Sequence, residues 1–224
     1  MSKVTAFIPA RCGSKSIPFK NIKPLAGRPL IYWNLAALEE CEAVDAVIVA
    51  TDCAEIRRVV REFSLSKVTL YDRSAETATD AASTESVMLE YLETNQLPDK
   101  DLFMLVQITS PLTRTEDYSS AIARIRAGEG DSLLTAVPFK RFLWTANGQA
   151  INYDFRSRPR RQDMKASYLE NGAFYINSVG NIRRDRNRLS GRIVVQELPE
   201  YMATEIDEPH DWAVMETMIE RYRK

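Results

Sequence analysis

Short apolar runs alternate with helical patterns as far as residue 138 of this chain, and that alternation is the strongest constraint on its fold. The apolar runs lack a helical period and predict strands at residues 4–9, 46–50, 67–71, 102–108 and 132–137. Amphipathic periods between them predict helices at residues 29–41, 54–62, 83–93 and 118–126. This order predicts an α/β fold in three αβα layers, with a mostly parallel, Rossmann-like sheet covered by helices on both faces. Ligands bind such sheets at the carboxyl ends of the strands.

The alternation stops at residues 139–170, where charged residues, Asn, Pro and isolated aromatics show no sustained period. We interpret this segment as an arm that leaves the sheet and serves in dimer contact. Beyond it, strands are predicted at residues 173–177 and 193–198, and a closing helix at 208–222 has Pro209 in its first turn. A chain of 224 residues can bury one full hydrophobic core, so we interpret residues 1–224 as a single domain.

The composition excludes several classes of partner. Lys plus Arg number 30 against 31 Asp plus Glu, and the net charge of -1 provides no general field for nucleic acid or anionic lipid. No stretch approaches the roughly 20 apolar residues that span a bilayer. Arg11 and Lys15 interrupt the first apolar run, which therefore lacks the shape of a signal peptide. Three cysteines without a C-x-x-C pair favour a reducing compartment, so we expect a cytoplasmic protein with no nucleic-acid or membrane partner.

The chain contains a single histidine, His210. A Ser-His-Asp or Cys-His hydrolase would need its other groups to converge on that one ring, which argues against those classes. Catalysis is therefore expected to use carboxylates, Lys, Arg or a metal.

A cation-rich loop follows the first predicted strand, with the sequence Ile-Pro-Ala-Arg-Cys-Gly-Ser-Lys-Ser-Ile-Pro-Phe-Lys-Asn at residues 8–21. A triphosphate needs backbone N–H donors and fixed positive charge around its oxygens. Gly13 permits a close backbone approach, while Arg11, Lys15 and Lys20 supply charge. The Walker pattern of P-loop ATPases is absent. Composition alone is equally compatible with a basic, solvated surface loop.

Four further motifs follow in order. They are Tyr-Asp-Arg-Ser-Ala-Glu with Thr-Asp-Ala-Ala-Ser-Thr at residues 71–84, Val-Gln-Ile-Thr-Ser-Pro-Leu at 106–112, Arg-Pro-Arg-Arg-Gln-Asp with Tyr-Leu-Glu-Asn-Gly-Ala-Phe-Tyr-Ile at 158–176, and Thr-Glu-Ile-Asp-Glu-Pro-His-Asp-Trp at 204–212. Glu205 and Asp207 are two residues apart, so on an extended segment they point the same way and could share one Mg²⁺.

Each motif also has a purely structural interpretation. Ser83 or Thr84 suits an ordinary helix N-cap, and residues 106–112 suit a strand-to-helix turn in every position except Gln107. The arginines of residues 158–161 could pair with Asp154, Asp163 or a partner subunit. Asp207 could cap the helix that Pro209 opens, because acids favour the positive end of a helix.

Together, these five motifs resemble the CMP-sialate synthetases, also called acylneuraminate cytidylyltransferases, from the first strand to the last helix. The resemblance implies a fold of the nucleotide-diphospho-sugar transferase type with a small dimerisation arm. It implies transfer of CMP from CTP to the anomeric hydroxyl of a nine-carbon 2-keto sugar acid of the sialic acid type, with release of pyrophosphate. It further implies Mg²⁺ as cofactor, with Mn²⁺ as a substitute, and a homodimer.

The same resemblance assigns roles to residues of this chain. The catalytic residues would be Lys20, Arg11 and Asp207. The nucleotide would be bound by Arg11, Gly13, Ser14, Lys20, Asn21 and Arg73. The sugar acid would be bound by Gln107, Arg161, Gln162, Asn171 and Tyr175. The metal would be held by Glu205 and Asp207. Three positions depart from the common family pattern: Cys12 and Ser16 stand where glycine is frequent, and Glu205 stands for an aspartate.

Several alternatives stay open at this point. A CMP-Kdo synthetase has a similar first loop, and a catalytically silent nucleotide- or sugar-binding module would tolerate the changes at Cys12 and Glu205. The acid could be N-acetylneuraminate, its deaminated form, legionaminate or pseudaminate. Asp207, Asp211 and a metal-bound hydroxide are all candidates for the general base.

Overall fold

The computed structural model describes residues 2–13, 16–164 and 167–223. The strands found in them are β1 (Val4–Pro9), β2 (Pro24–Leu25), β3 (Arg28–Pro29), β4 (Ala46–Thr51), β5 (Val68–Asp72), β6 (Leu102–Val106), β7 (Ser132–Phe139), β8 (Ser167–Ser178) and β9 (Ile193–Glu197). The α-helices are α1 (Leu30–Glu40), α2 (Ala54–Glu62), α3 (Thr84–Thr94), α4 (Thr115–Arg126), α5 (Val179–Asp185) and α6 (Pro209–Tyr222). Within the described ranges, no helix is long and apolar enough to cross a membrane.

Seven strands form one sheet in the order β5-β4-β1-β6-β8-β7-β9. β1 pairs in parallel with both β4 and β6, and β4 pairs in parallel with β5. β8 runs antiparallel to β6 and β7, whereas β9 is parallel to β7. All strands but β8 therefore point the same way, which confirms the predicted mostly parallel, Rossmann-like sheet.

Helices cover both faces of the sheet because successive strand residues point to opposite sides. Ile8 of β1 belongs to a core cluster with apolar residues of α1, α2, α4 and α6, while its neighbour Phe7 belongs to a second cluster with α3 and α5. All residues of β6 are buried, as expected of a strand covered on both sides. The predicted three-layer arrangement is thus confirmed.

The structure differs from the sequence prediction mainly after residue 166. β8 has 12 residues, where only 173–177 were predicted, because its first four residues are exposed and show no apolar pattern. α5 was not predicted, since its seven residues are too few to show a helical period. The Ser178 side chain caps α5 by accepting a hydrogen bond from the N–H of Asn181.

The predicted arm begins as a two-stranded ribbon that continues β7 and β8. Ala136 pairs with Glu170 and Phe139 with Ser167, after a register shift between Leu134 and Ala136. Beyond the ribbon, the described residues of 140–164 contain only two short 3-10 turns and one isolated bridge. The irregular character of the segment is confirmed, whereas its role in dimer contact and the single-domain interpretation stay predictions.

A buried hydrogen-bond network joins β7, β8 and the turn before β9. The Ser132 hydroxyl donates to the carbonyl of Ser190 over 2.7 Å and accepts from the N–H of Ser190 over 2.9 Å. Asn177 Nδ2 donates to the Ser190 hydroxyl over 3.0 Å. Buried polar groups of this kind are costly when one partner is removed.

We expect Ser132→Ala to lower the free energy of unfolding by about 2 kcal/mol, because two buried hydrogen bonds are lost and the N–H of Ser190 loses its acceptor. Urea unfolding followed by circular dichroism measures the change. Ser157→Ala, at an exposed position of the arm, is the control and should unfold like the wild type. Identical midpoints for Ser132→Ala and wild type would contradict the assigned contribution of the network.

Candidate active site

A cleft of about 330 Å³ opens at the carboxyl ends of β1 and β6. This is the edge at which ligands bind open parallel sheets. Six residues assigned to ligand binding from the sequence line the cleft: Arg11, Gly13, Lys20, Asn21, Arg73 and Gln107. Residues far apart in the chain thus meet in one concave site.

Two guanidinium groups line the cleft, Arg11 from the loop after β1 and Arg73 from the position directly after β5. Arg11 forms an ion pair with Asp80 over 2.5 Å, and Asn21 Nδ2 donates to the carbonyl of Arg11 over 3.0 Å. Arg73 is 9% exposed, and its Nε has no partner among the described residues. Burial lowers the pKa of Arg73 from its ordinary value, an effect that the charge of Asp52 opposes. An anionic ligand in the cleft would therefore find cations that are already held in place.

Two residues of this loop stand where the family pattern often has glycine, and neither of them strains the backbone. Neither Cys12 nor Ser16 is among the residues with a positive φ, so neither position requires glycine. Ser14, which the family pattern assigns to the nucleotide, lies outside the described residues.

Lys20 connects the loop to the far end of the chain. Its Nζ donates to the carbonyl of Ile206 over 2.8 Å and lies 3.3 Å from Asp207 Oδ1. The Lys20 side chain is only 15% exposed, whereas that of Asp207 is 70% exposed. The ammonium group is thus fixed at the rim of the cleft, beside a carboxylate that solvent reaches.

Glu205 and Asp207 flank a buried anchor. Ile206 is fully buried, and its N–H donates to the carbonyl of Thr109 over 3.2 Å. Because side chains alternate along an extended segment, the two acids point to the side opposite the Ile206 side chain. The Glu205 carboxylate lies beside Gly172 and near Gln107, whereas the Asp207 carboxylate lies beside Lys20.

The pKa of Glu205 is raised, first by burial and then by the negative charge of Asp207, while Lys20 opposes the shift. A divalent cation would offset this repulsion, and carboxylate oxygens are the ligands that Mg²⁺ prefers. The donor set therefore fits a hard divalent cation.

Asp207 is not the cap of α6, so the structural interpretation of this residue is wrong. Glu208 is the N-cap and forms a capping box with Asp211. Asp211 Oδ2 accepts the N–H groups of Glu208 over 2.8 Å and of Asp207 over 3.0 Å, and these bonds lower the pKa of Asp211. Asp211 is thereby committed to the start of the helix, and the Asp207 carboxylate is left to Lys20 and to solvent.

Gly172, which was not predicted as a site residue, opens the space between Gln107 and Glu205. Its φ is +64°, and a Cβ atom there would lie 3.1 Å from Gln107 Oε1 and 3.3 Å from Glu205 Oε1. Any side chain would crowd these two polar groups and strain the backbone. The available signal was a glycine directly before the strand predicted at residues 173–177.

Two residues assigned to the sugar acid do not line the cleft. Asn171 is 1% exposed, and its Nδ2 donates to the carbonyl of Met202 over 3.0 Å. The Tyr175 hydroxyl donates to Glu170, and its ring lies 4.9 Å from the Arg188 guanidinium. Burial, followed by this contact with Glu170, raises the pKa of Tyr175. Both residues pack behind the site in this chain.

Arg161 and Gln162 lie on the arm, exposed and away from the cleft lining. Arg161 pairs with Glu200 over 2.8 Å, and Arg160 pairs with Asp163 over 2.7 Å. The predicted pairing of this arginine cluster with Asp163 is confirmed for Arg160.

The helix-cap interpretation is confirmed for Ser83. Its hydroxyl accepts the N–H of Ser86 over 3.1 Å at the start of α3. Ser83 and Thr84 also line the cleft. Asp80 and Thr109 line it too, although neither was predicted as a site residue. Asp80 and Thr109 lie within the family-like motifs, and that position was the signal for them.

Comparisons with known proteins identify the family of this chain. The family model described as cytidylyltransferase matches residues 5–201. N-acylneuraminate cytidylyltransferase B of Danio rerio is 34% identical over 97% of this chain and 51% of its own length. This chain therefore spans about half the length of that relative. CMP-N,N'-diacetyllegionaminic acid synthase of Legionella pneumophila is 28% identical over 97% of both chains.

A solved CMP:2-keto-3-deoxy-manno-octonic acid synthetase, in complex with CTP, superimposes with a TM-score of 0.71 over 98% of this chain and 99% of its own, at 19% identity. At that identity the likeness shows a shared fold. The matching family model and the similar relatives confirm the resemblance to acylneuraminate cytidylyltransferases that the motifs indicated. This chain belongs to the cytidylyltransferase family.

Proposed function

We propose that this protein is an enzyme that transfers CMP from CTP to the anomeric hydroxyl of a nine-carbon 2-keto sugar acid, releasing pyrophosphate. The observation that carries the proposal is a cleft at the strand ends where Arg11, Lys20 and Arg73 line a concave surface, with the Glu205–Asp207 pair beside Lys20. The names of the Danio and Legionella relatives support the nine-carbon acid, and the chain carries the Lys20–Asn21 ending and the arm motif. The proposed location is the cytoplasm.

The nucleotide in this proposal lies over the loop of residues 11–21. Arg11, Gly13, Ser14, Lys20, Asn21 and Arg73 hold the triphosphate and the base. The sugar hydroxyl attacks the α-phosphorus in line, and pyrophosphate leaves. Such a transfer asks a protein mainly for positioning and charge neutralisation. Lys20 is held by Ile206, so its ammonium is preorganised to neutralise phosphate charge as it develops.

Glu205 and Asp207 would hold Mg²⁺, with Mn²⁺ as a substitute. The bound ion would neutralise phosphate oxygens. The longer side chain of Glu205 is compatible with this role, because Gly172 leaves space for its carboxylate. Glu205 Oε1 lies 3.3 Å from the position that a Cβ atom of residue 172 would take. Asp207 is the proposed proton acceptor, since Asp211 is engaged by two backbone N–H groups.

Gln107 is the proposed contact to the sugar acid in the same chain. Asn171 and Tyr175 do not line the cleft, so their proposed role is to position the residues that do. Arg161 and Gln162 are kept as sugar-acid residues through an assembly of two chains. In that homodimer the arm of residues 139–170 makes the contact, and its arginines reach the cleft of the partner subunit. The arm carries exposed apolar side chains, including Trp144, Ile151 and Phe155, which support a buried contact surface.

The first experiment measures pyrophosphate release from CTP with eight- and nine-carbon sugar acids, with and without Mg²⁺. We expect turnover with CTP and a nine-carbon acid only when the metal is present, and none with ATP, GTP or UTP. Turnover with only the eight-carbon acid Kdo would show that the substrate is Kdo and not a nine-carbon acid. Silence from folded protein that still binds CTP would indicate a binding module instead.

Lys20→Met is expected to lower kcat by at least about 100-fold, the cost of losing one preorganised group that stabilises the transition state. Steady-state kinetics with CTP and the accepted acid measure the loss. Lys100→Met removes an exposed lysine outside the cleft lining and should turn over like the wild type. Unchanged kcat in Lys20→Met would remove this residue from the mechanism.

Glu205→Gln is expected to lower turnover at least about tenfold while stabilising the fold. The raised pKa of Glu205 means that its charged form is disfavoured in the folded state, so the ionised group destabilises the protein above that pKa. Glutamine removes this penalty, and we expect Tm to rise by about 2 °C at pH 7.5. The gain should vanish as pH falls below the ordinary pKa of glutamate, where the group is protonated in both states. Thermal unfolding across pH measures the gain, and a lower Tm at pH 7.5 would contradict the raised pKa of Glu205.

Ile151→Asp is expected to shift the protein from dimer to monomer at micromolar concentration, because it places a charge in the apolar contact surface proposed for the arm. Sedimentation velocity measures the change. Val214→Asp, at an exposed apolar position of α6, is the control and should leave the dimer intact. A monomeric wild-type protein at this concentration would contradict the proposed homodimer.

A further inference from the structure

Cys12 and Cys53 lie beside each other because of the strand register. β1 and β4 are parallel neighbours that pair Pro9 with Ala50, and each cysteine follows three residues after its member of that pair. The N–H of Ala10 donates to the carbonyl of Ala50 over 2.8 Å, so the segments that follow β1 and β4 stay adjacent beyond the paired residues. Neighbouring strands lie about 4.8 Å apart, within the roughly 4.4–6.8 Å between Cα atoms that disulfides bridge.

The side chains of both cysteines turn toward the same point. The sulfur atoms of Cys12 and Cys53 and a carboxylate oxygen of Glu55 all lie within 4.8 Å of one another. Cys53 is 1% exposed and donates its S–H to Glu55 Oε2 over 3.2 Å, whereas Cys12 is partly exposed. An accessible thiol thus faces a buried thiol that already has a proton acceptor.

The two sulfur atoms differ in their readiness to react. Burial, and then contact with the Cys12 thiol, raises the pKa of Cys53 to about 12, so this residue stays protonated at neutral pH. Oxidants attack accessible thiols first, which makes Cys12 the point of entry. The third cysteine, Cys41, is fully buried at the end of α1 and contacts Ser119.

We propose that Cys12 and Cys53 form an oxidation site, which a peroxide converts to a disulfide. The peroxide oxidises the Cys12 thiol to a sulfenic acid and leaves as water. The Cys53 sulfur then attacks the Cys12 sulfur, its proton passes to the Glu55 carboxylate, and the departing hydroxide takes up a proton to form the second water. Two thiols and one hydrogen peroxide give one disulfide and two waters. A dithiol reductant reverses the bond.

The disulfide would tie the cleft loop to the first turn of α2. In the reduced protein, the backbone at Cys12 is held by the hydrogen bond from its N–H to Asp52 Oδ1, over 3.0 Å. Cys12 lies between Arg11 and Gly13, both of which line the cleft, so the bond acts on the nucleotide-binding loop. This consequence rests on the proposed function, whereas the disulfide chemistry does not.

The experiment exposes the full reduced chain to hydrogen peroxide and measures intact mass, free thiols after unfolding, and proteolytic peptides. We expect the mass to fall by two hydrogens, the alkylatable thiols to fall from three to one, and a peptide pair linking Cys12 to Cys53, all reversed by dithiothreitol. None of these measurements depends on transferase activity, so failure here is distinct from failure of the proposed function.

Matched variants separate this site from general oxidation. Cys41→Ser should still lose two hydrogens, while Cys53→Ser and Cys12→Ser should not. Serine suits the N-cap position that Cys53 occupies, so Cys53→Ser is expected to fold. A disulfide that includes Cys41 would overturn the proposal. Stoichiometric zinc bound by the reduced wild type but not by Cys53→Ser, with no disulfide after metal removal and peroxide treatment, would also overturn it.

Discussion

Parallel pairing of β1 with both β4 and β6 is the constraint on which the site depends. β1 is a buried inner strand of the sheet, and its parallel neighbours end at the same edge. Three segments therefore meet at this edge directly after their strands: the loop with Arg11 and Lys20, the turn after β4, and the segment from Gln107 to Thr109. A change of register in this trio would separate the cations from Gln107, whereas the loops themselves can vary.

A second set of bonds completes the cleft from the other end of the chain. Ile206 donates to Thr109, accepts from Lys20 and buries its own side chain, which leaves Glu205 and Asp207 close together on one side. Burial, and then the negative charge of Asp207, raises the pKa of Glu205, so the ionised carboxylate costs folding free energy. Stability is given up at the pair of acids that we propose as the cation site.

The sequence predicts most of the strands and helices of the layered fold, because the spacing of apolar residues in each element follows from which residues face the core. It also identifies the residues of the β1 loop and Gln107, since these follow strand ends. It does not reveal that Asn171 and Tyr175 pack behind the cleft, because burial of a polar side chain depends on partners such as Met202 and Glu170. Asp207 was wrongly considered as the N-cap of α6, because two neighbouring acids both suit that position. Only the backbone geometry shows that Glu208 is the N-cap.

The bond between Lys20 and Ile206 joins residues at opposite ends of the chain. During synthesis, the cationic loop leaves the ribosome long before the segment that holds it in place. At about 5–20 residues per second, that interval is on the order of 10 to 40 s. A nascent chain can therefore pair β1 with β4 and β6 while its Lys20 ammonium still lacks the carbonyl that fixes it. The Glu205–Asp207 side of the cleft can therefore form only well after the cationic loop has been synthesised.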